Sequence, residues 1–244
     1  MPSTLTLHRV RTLEELEPLY HIGADAWRDD PCFNWFYPGG REHHDDLLVL
    51  WRHLLRREFL DPGKFILAAM IRDPQDEDEE EDKPQPCKVV GFAVWERKGS
   101  SDAARSWQGT SFSKRLKRFI LNFKIAYTFR LATPKRSLSW SRLRQFETEQ
   151  KAAKASQPAN AWYLSLLGVT PKAQGRGVGK KLLQWGIDRS EEEGVPSSLE
   201  ATKAGLRLYE SMGFERIGWV FFDDEKQKHT VMQRTNKLGG WLAG

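Results

Sequence analysis

The stretch "AWYLSLLGVTPKAQGRGVGKKLLQW", Ala161 to Trp185, sets the tightest limits on what this chain can fold into. An apolar run from Trp162 to Val169 is stopped by Thr170-Pro171. Gly175, Gly177 and Gly179 follow, then an apolar-periodic segment closed by Gly194. That is a strand, a glycine loop and a helix in direct succession. Such an order suits an anion, because the first amides of a helix lack partners and its dipole favours negative charge. Glycines let the backbone close on a bulky phosphate. Lys172, Arg176, Lys180 and Lys181 add positive charge. Two nucleotide fingerprints fail on single positions. A GxGxxG beginning at Gly175 needs a small residue where Lys180 stands. A P-loop ending in Gly179-Lys180 needs glycine at Gln174 and a hydroxyl at Lys181. A pyrophosphate cradle of another kind, or a chance glycine-rich turn, remains.

The flanking sequence is a mixture of strand and helix periods. "STLTLHRV" alternates as a half-buried strand does. Thr12 and Glu15 have the spacing of a capping box, and Pro18 shifts the helix start toward Glu17. "DDPCFNWFYPGG" reads as an aromatic-rich loop. Leu47, Leu50, Trp51, Leu54 and Leu55 recur at helical spacing and stop before Asp61-Pro62-Gly63. "KFILAAMI" and "KVVGFAVWER" read as a hairpin whose tip, residues 73–86, holds the acidic run Asp76 to Asp82. That much like charge repels itself and belongs in a solvated loop. Residues from about 99 to 158 interrupt the rhythm with two helical stretches. Beyond them the pattern is strand, helix, short strand "SSLEA", helix ending at Gly213, and two final strands. The chain 1–244 therefore reads as one α/β domain, with a mixed, mostly antiparallel sheet of about seven strands.

Two motifs then become specific. "LSLLGVTPKAQGRGVGKKLL" resembles the acyl-CoA-binding motif of the GNAT superfamily of N-acetyltransferases, whose [QR]-x-x-G-x-[GA] loop is met by Gln174, Gly177 and Gly179. "LEATKAGLRLYESMGF" resembles the family segment ending L-Y-x-x-x-G-F, at the expected distance. Within the superfamily the chain is most similar to the puromycin N-acetyltransferase group and related fungal and bacterial small-molecule acetyltransferases, on "AWYLSLLGVTP", "GVPSSLEA", "LYESMGF" and the weaker "AWRDDPCFNWFYP". The spacing from Glu200 to Tyr209 is slightly shorter than in that group, which leaves the acceptor site open to difference. The resemblance implies acetyl-CoA as donor and no metal. It implies CoA contacts from Leu167, Gly168 and Val169 on the strand and from Gln174, Gly175, Arg176, Gly177, Val178, Gly179 and Lys180 on the loop. It also implies Tyr209 as the general acid near the sulfur.

Chemistry assigns the remaining roles. A free alkyl amine is mostly protonated at pH 7, so a base is useful. Glu200 on "SSLEA" is the candidate, against a structural carboxylate. Phe33, Trp35, Phe36 and Tyr37, with Trp162, are candidates for an aromatic acceptor wall, against a packed core. Between Ala103 and Phe146 there are eleven Arg or Lys and no acidic residue. The apolar stripe there (Leu116, Phe119, Ile120, Phe123, Tyr127) reads first as a lid over the acceptor. The other readings are a structural helix and a polyanion surface. The expected acceptor is the primary amine of a small molecule, attacked directly in a ternary complex; a protein lysine or N-terminus is the alternative. No nucleic acid or membrane partner is expected, and the protein would be a monomer or homodimer. Cys32 and Cys87, far apart, suit a reducing compartment and argue against a disulfide framework, a zinc site or a cysteine relay. No apolar run approaches the ~20 residues of a membrane span, and the first residues lack signal-peptide character, so a cytosolic or nuclear location is expected.

Overall fold

A computed structural model describes residues 4–72, 87–108, 137–155, 157–223 and 225–235, with Leu116, Phe119, Ile120, Phe123 and Tyr127. The acidic run Asp76 to Asp82 lies outside the described residues. The strands are β1 (Thr4–Arg9), β2 (Lys64–Arg72), β3 (Lys88–Lys98), β4 (Ala161–Val169), β5 (Ser197–Ala201), β6 (Glu215–Phe222) and β7 (Gln227–Arg234). They form one sheet in the order β1-β2-β3-β4-β5-β7-β6. Every neighbouring pair is antiparallel except β4 and β5, which run parallel. A parallel pair needs a crossover helix. Here the glycine loop and α6 (Val178–Glu192) supply it.

The strand period of two divides the core into two layers. Phe92 and Val94 of β3 face α1 (Glu17–Ala26), α2 (Pro31–Phe36) and α3 (His44–Leu60), packing with Leu19, Trp51 and Leu55. Ala93 and Trp95 face α6, with Leu182, Leu183 and Ile187. Trp95 Nε1 donates to the Leu182 carbonyl at 3.3 Å. Its ring occupies the space of a side chain at Gly186, where a Cβ would lie 2.1 Å away. Glycine in that helix is a packing requirement. The remaining described helices are α4 (Asp102–Gln108), α5 (Trp140–Ala155) and α7 (Leu206–Ser211).

Two local readings change. "DPCFNWF" is a short helix rather than a loop. Asp30 caps it, its Oδ1 accepting the amides of Cys32 at 2.9 Å and Phe33 at 3.1 Å, and Pro31 takes the first helical position. Thr12 and Glu15 do not cap α1, which begins at Glu17 after a 3₁₀ turn over Glu14–Leu16. Glu15 instead contacts His8 Nε2 at 2.7 Å and the Arg11 amide at 3.1 Å. The apolar stripe of the basic segment is helical, but its five side chains are 50–71% exposed. Among the described residues, α5 lines the site. No described helix is long and apolar enough to cross a membrane.

Candidate active site

The site begins where two strands part. β4 and β5 pair only through Trp162–Ser197, Tyr163–Ser198 and Leu164–Leu199. Beyond that point β5 stays with β7, Glu200 opposite Val231, while β4 stays with β3. A bulge helps the separation: Trp95 pairs with Leu164 and Val94 with Leu166, so Ser165 is the extra residue. The parting opens into a cavity of about 1780 Å³. Leu167 and Val169 form one wall, and the loop from Gln174 to Lys180 closes one end through Gly175, Gly177, Val178 and Gly179. Glu200 and Tyr209 line the middle. Asp30, Phe33, Phe36 and His229 line the far end.

The loop has the geometry of a cradle. Gly175 and Gly177 have φ of +75° and +80°, in the left-handed region that favours glycine. A Cβ at either would meet nothing within 4 Å, so the space in front of them is open. Gly177 precedes α6 and no side chain caps that helix, leaving its first amides without intrahelical acceptors. Gln174 Nε2 donates to the Val169 carbonyl at 3.2 Å, which ties the loop to the end of β4. Lys181 is held by the Leu5 carbonyl. Arg176 is exposed and does not line the cavity. Gly168 faces the opposite layer, where a Cβ would lie 2.5 Å from the Trp27 ring.

The candidate acid and base, Tyr209 and Glu200, are held by groups from several elements. Glu200 Oε1 accepts from Tyr163 Oη at 3.3 Å and Gln157 Nε2 at 3.2 Å; its Oε2 accepts from Gln150 Nε2 at 3.4 Å. Burial raises its pKa above the ordinary carboxylate value, opposed by Lys154 and those three donors. Tyr163 is itself buried, with Lys154 Nζ 4.7 Å and Lys98 Nζ 5.6 Å from its ring centre. Tyr209, on α7, packs against Phe214 at 6.2 Å and over Gly205, where a Cβ would come within 2.6 Å. Burial raises its phenol pKa and keeps the proton in place.

Helix α2 sorts the aromatic candidates. Phe33 and Phe36, three apart, share the face that lines the cavity. Phe33 stacks on Trp51 at 5.3 Å and Phe36 on Phe146 of α5 at 5.4 Å. Trp35 turns away and packs on Phe222 at 5.9 Å. Trp162 is fully buried on the α6 face, edge-on to Trp107 and Trp185, and its Nε1 donates to Glu193 Oε1 at 2.9 Å. Neither Trp35 nor Trp162 reaches the cavity, so both belong to the core.

Sequence reasoning missed several residues of the site. Gln150 and Lys154 of α5, Gln157 in the connection after it, and Tyr163 of β4 surround Glu200. At the far end, ligand atoms of Asp30, Cys32 and His229 lie within 4.8 Å of one another. No spacing rule joins residues 30 and 229; the packing of α2 against the β6–β7 hairpin does, with Trp35 on Phe222. Cys32 is buried, and burial pushes its thiol pKa far up, with Asp30 and Glu200 adding to the shift.

Residues 143–216 match the profile of the acetyltransferase (GNAT) domain family. Over 226 residues the chain is 23% identical to an acetyltransferase of Stachybotrys chartarum, spanning 93% of this chain and 87% of that protein. A 42-residue segment is 48% identical to the probable acyltransferase SID5 of Ajellomyces capsulatus, covering 17% of this chain and 31% of that protein. Among solved structures, one described as histone acetyltransferase HPA2 and related acetyltransferase from Corynebacterium glutamicum superposes with a TM-score of 0.57. It is 19% identical, over 96% of this chain and 97% of its own, which is a likeness of fold.

Proposed function

We propose that this chain, an acyltransferase enzyme with a GNAT-type fold, moves the acetyl group of acetyl-CoA to the primary amine of a small molecule by direct attack. The carrying observation is a single cavity that runs from the glycine cradle, along the parted edge of β4, to Glu200 and Tyr209. The residues fit the donor: open space at Gly175 and Gly177, uncapped amides at α6, and Lys180 beside them suit a pyrophosphate. The β4 segment Leu166–Val169, with no strand on its β5 side, suits the amide groups of a pantetheine arm.

The chain's own groups then have these roles. Glu200 attracts the acceptor ammonium and takes a proton from it, directly or through a water. Its raised pKa makes it a better base than an exposed carboxylate. The freed amine attacks the thioester carbonyl carbon, the C–S bond breaks, and the Tyr209 phenol gives its proton to sulfur. Phe33 and Phe36 favour a flat or apolar body on the acceptor. That wall, with "SSLEA" and "LYESMGF", supports placing the chain near the puromycin N-acetyltransferase group.

The acidic run at 76–82 favours a second reading, a basic protein segment as acceptor. Acetyl-CoA turnover on a panel of primary amines and of lysine and N-terminal peptides separates the two. Turnover on small aromatic amines is expected. Turnover on peptides alone would overturn the small-molecule assignment, and none on any amine would overturn acetyl transfer.

A further inference from the structure

Amide formation from an ammonium removes two protons from one nitrogen. One ends on the coenzyme's sulfur and one in solvent, yet the reading above supplies a single acceptor, Glu200. The far end of the same cavity holds a second. His229 sits on β7 two residues before Val231, which pairs directly with Glu200. Residues two apart on a strand share a face, so His229 and Glu200 lie on the same side of the sheet at diagonal positions, a separation of about 7–8 Å between backbones. Both line the cavity. The His229 ring is edge-on to Phe222 at 4.9 Å and to Phe146 at 6.4 Å. Asp30 reaches it from the start of α2, within 4.8 Å. Asp30 is itself fixed, because its Oδ1 holds the amides of Cys32 and Phe33.

We propose that His229 is a second catalytic proton acceptor of the acetyl transfer, and that Asp30 is its positioning residue. The proposal rests on the acetyltransferase reading. Glu200 takes the proton that frees the lone pair. The nitrogen then bonds to the carbonyl carbon and carries one proton too many, which passes to the His229 ring. Tyr209 protonates the departing sulfur and regains a proton from solvent. Glu200 and His229 release theirs, so one proton per turnover is liberated.

The electrostatics agree with this order. Burial lowers the His229 pKa, opposed by Asp30, which favours the neutral ring that can accept a proton. The other groups facing it are Cys32, whose buried thiol stays protonated, and Glu200 across the sheet. Gln150 and Lys154 of α5 face Glu200. Glu200 accepts three hydrogen bonds already, so a further acceptor beside it has a purpose.

The test uses the full chain and an amine it acetylates. His229→Gln is expected to lower kcat/KM about 10²- to 10³-fold with the acetyl-CoA Kd unchanged by calorimetry. That loss should shrink as pH rises, since hydroxide and free amine then serve as acceptors; a packing defect would give a pH-independent loss. Asp30→Asn should move the acidic limb of the profile to lower pH, because the carboxylate stabilises the imidazolium. Turnover by the wild type with none lost in His229→Gln would overturn this proposal alone. Absence of wild-type turnover on any amine would overturn the reading beneath it. The same trio could instead ligate a metal. A thiolate-to-cobalt absorption band on adding Co²⁺, lost in Cys32→Ser, would make His229 a ligand and overturn its role as acceptor.

Discussion

At the residue scale, the proposed chemistry rests on Tyr209 and Glu200. Tyr209 must carry a proton to give it away, as a phenol does at pH 7, and burial raises its pKa further. Tyr209→Phe should lower kcat about 10²-fold or more while leaving the acetyl-CoA Kd intact, measured by steady-state kinetics and calorimetry. Unchanged kcat would remove the phenol from the mechanism. Glu200 must lose a proton, at a cost to stability. Its pKa in the folded state is raised, so the folded chain holds that proton more tightly than the unfolded chain. Above both pKa values the ionised carboxylate therefore destabilises the fold; below about 4.5, the unfolded value, that cost is gone. Glu200→Gln should raise Tm at pH 7 to 8, the gain closing as pH falls toward 4.5, while turnover drops about 10²-fold or more. A lower Tm at pH 8 would show that the hydrogen bonds from Tyr163, Gln150 and Gln157 outweigh the desolvation. These two side chains were legible because each lies in a motif with fixed spacing. Asp30 and His229 were not, since 199 positions of chain separate them in sequence and only the packing of α2 against the β6–β7 hairpin unites them.

At the element scale, the loop from Gln174 to Gly179 does two jobs. Its glycines permit left-handed backbone, and its open front leaves room for a ligand. Substitutions separate these. Gly177→Ala places a small side chain in open space, so acetyl-CoA binding should survive while stability falls by about 1–2 kcal/mol from the positive φ. Gly177→Glu puts negative charge where the amides point, and binding should vanish in calorimetry. Retained affinity in the glutamate variant would sink the cradle assignment. Helix α2 teaches the complementary lesson. Asp30-Pro31 is a visible cap and first-turn pair, but six residues are too few for a periodic signal to stand out from the aromatics. Once the helix is known, its period alone separates Phe33 and Phe36 from Trp35. Trp162 was misplaced for a similar reason: an apolar strand buried on both sides carries no alternation to say which face looks into the site.

At the scale of the whole molecule, the cavity exists because a parallel pair is inserted into an otherwise antiparallel sheet. β5 arrives from a crossover helix and pairs with β4 over three residues before the two part. A ligand bound across that parting joins both halves of the sheet. Saturating acetyl-CoA, at about 100 times its Kd, should add about 2.7 kcal/mol and raise Tm by roughly 5–10 °C in a thermal-shift assay. NAD should not, because the dinucleotide fingerprint fails at Lys180. Equal shifts with both would mean a general anion site.

The sequence by itself determined the order of the strands and longer helices, the position of the glycine loop and two candidate groups, Glu200 and Tyr209. Those depend on local propensity, on period and on fixed spacing, all of which are written along the chain. Tertiary structure decided what surrounds them. It turned Trp35 and Trp162 into core and left Leu116, Phe119, Ile120, Phe123 and Tyr127 exposed. It brought α5 over Glu200 and set His229 against Asp30. The reason is physical: which face of an element meets the cavity, and which distant residue meets it there, is fixed by strand pairing and packing between segments far apart in the chain.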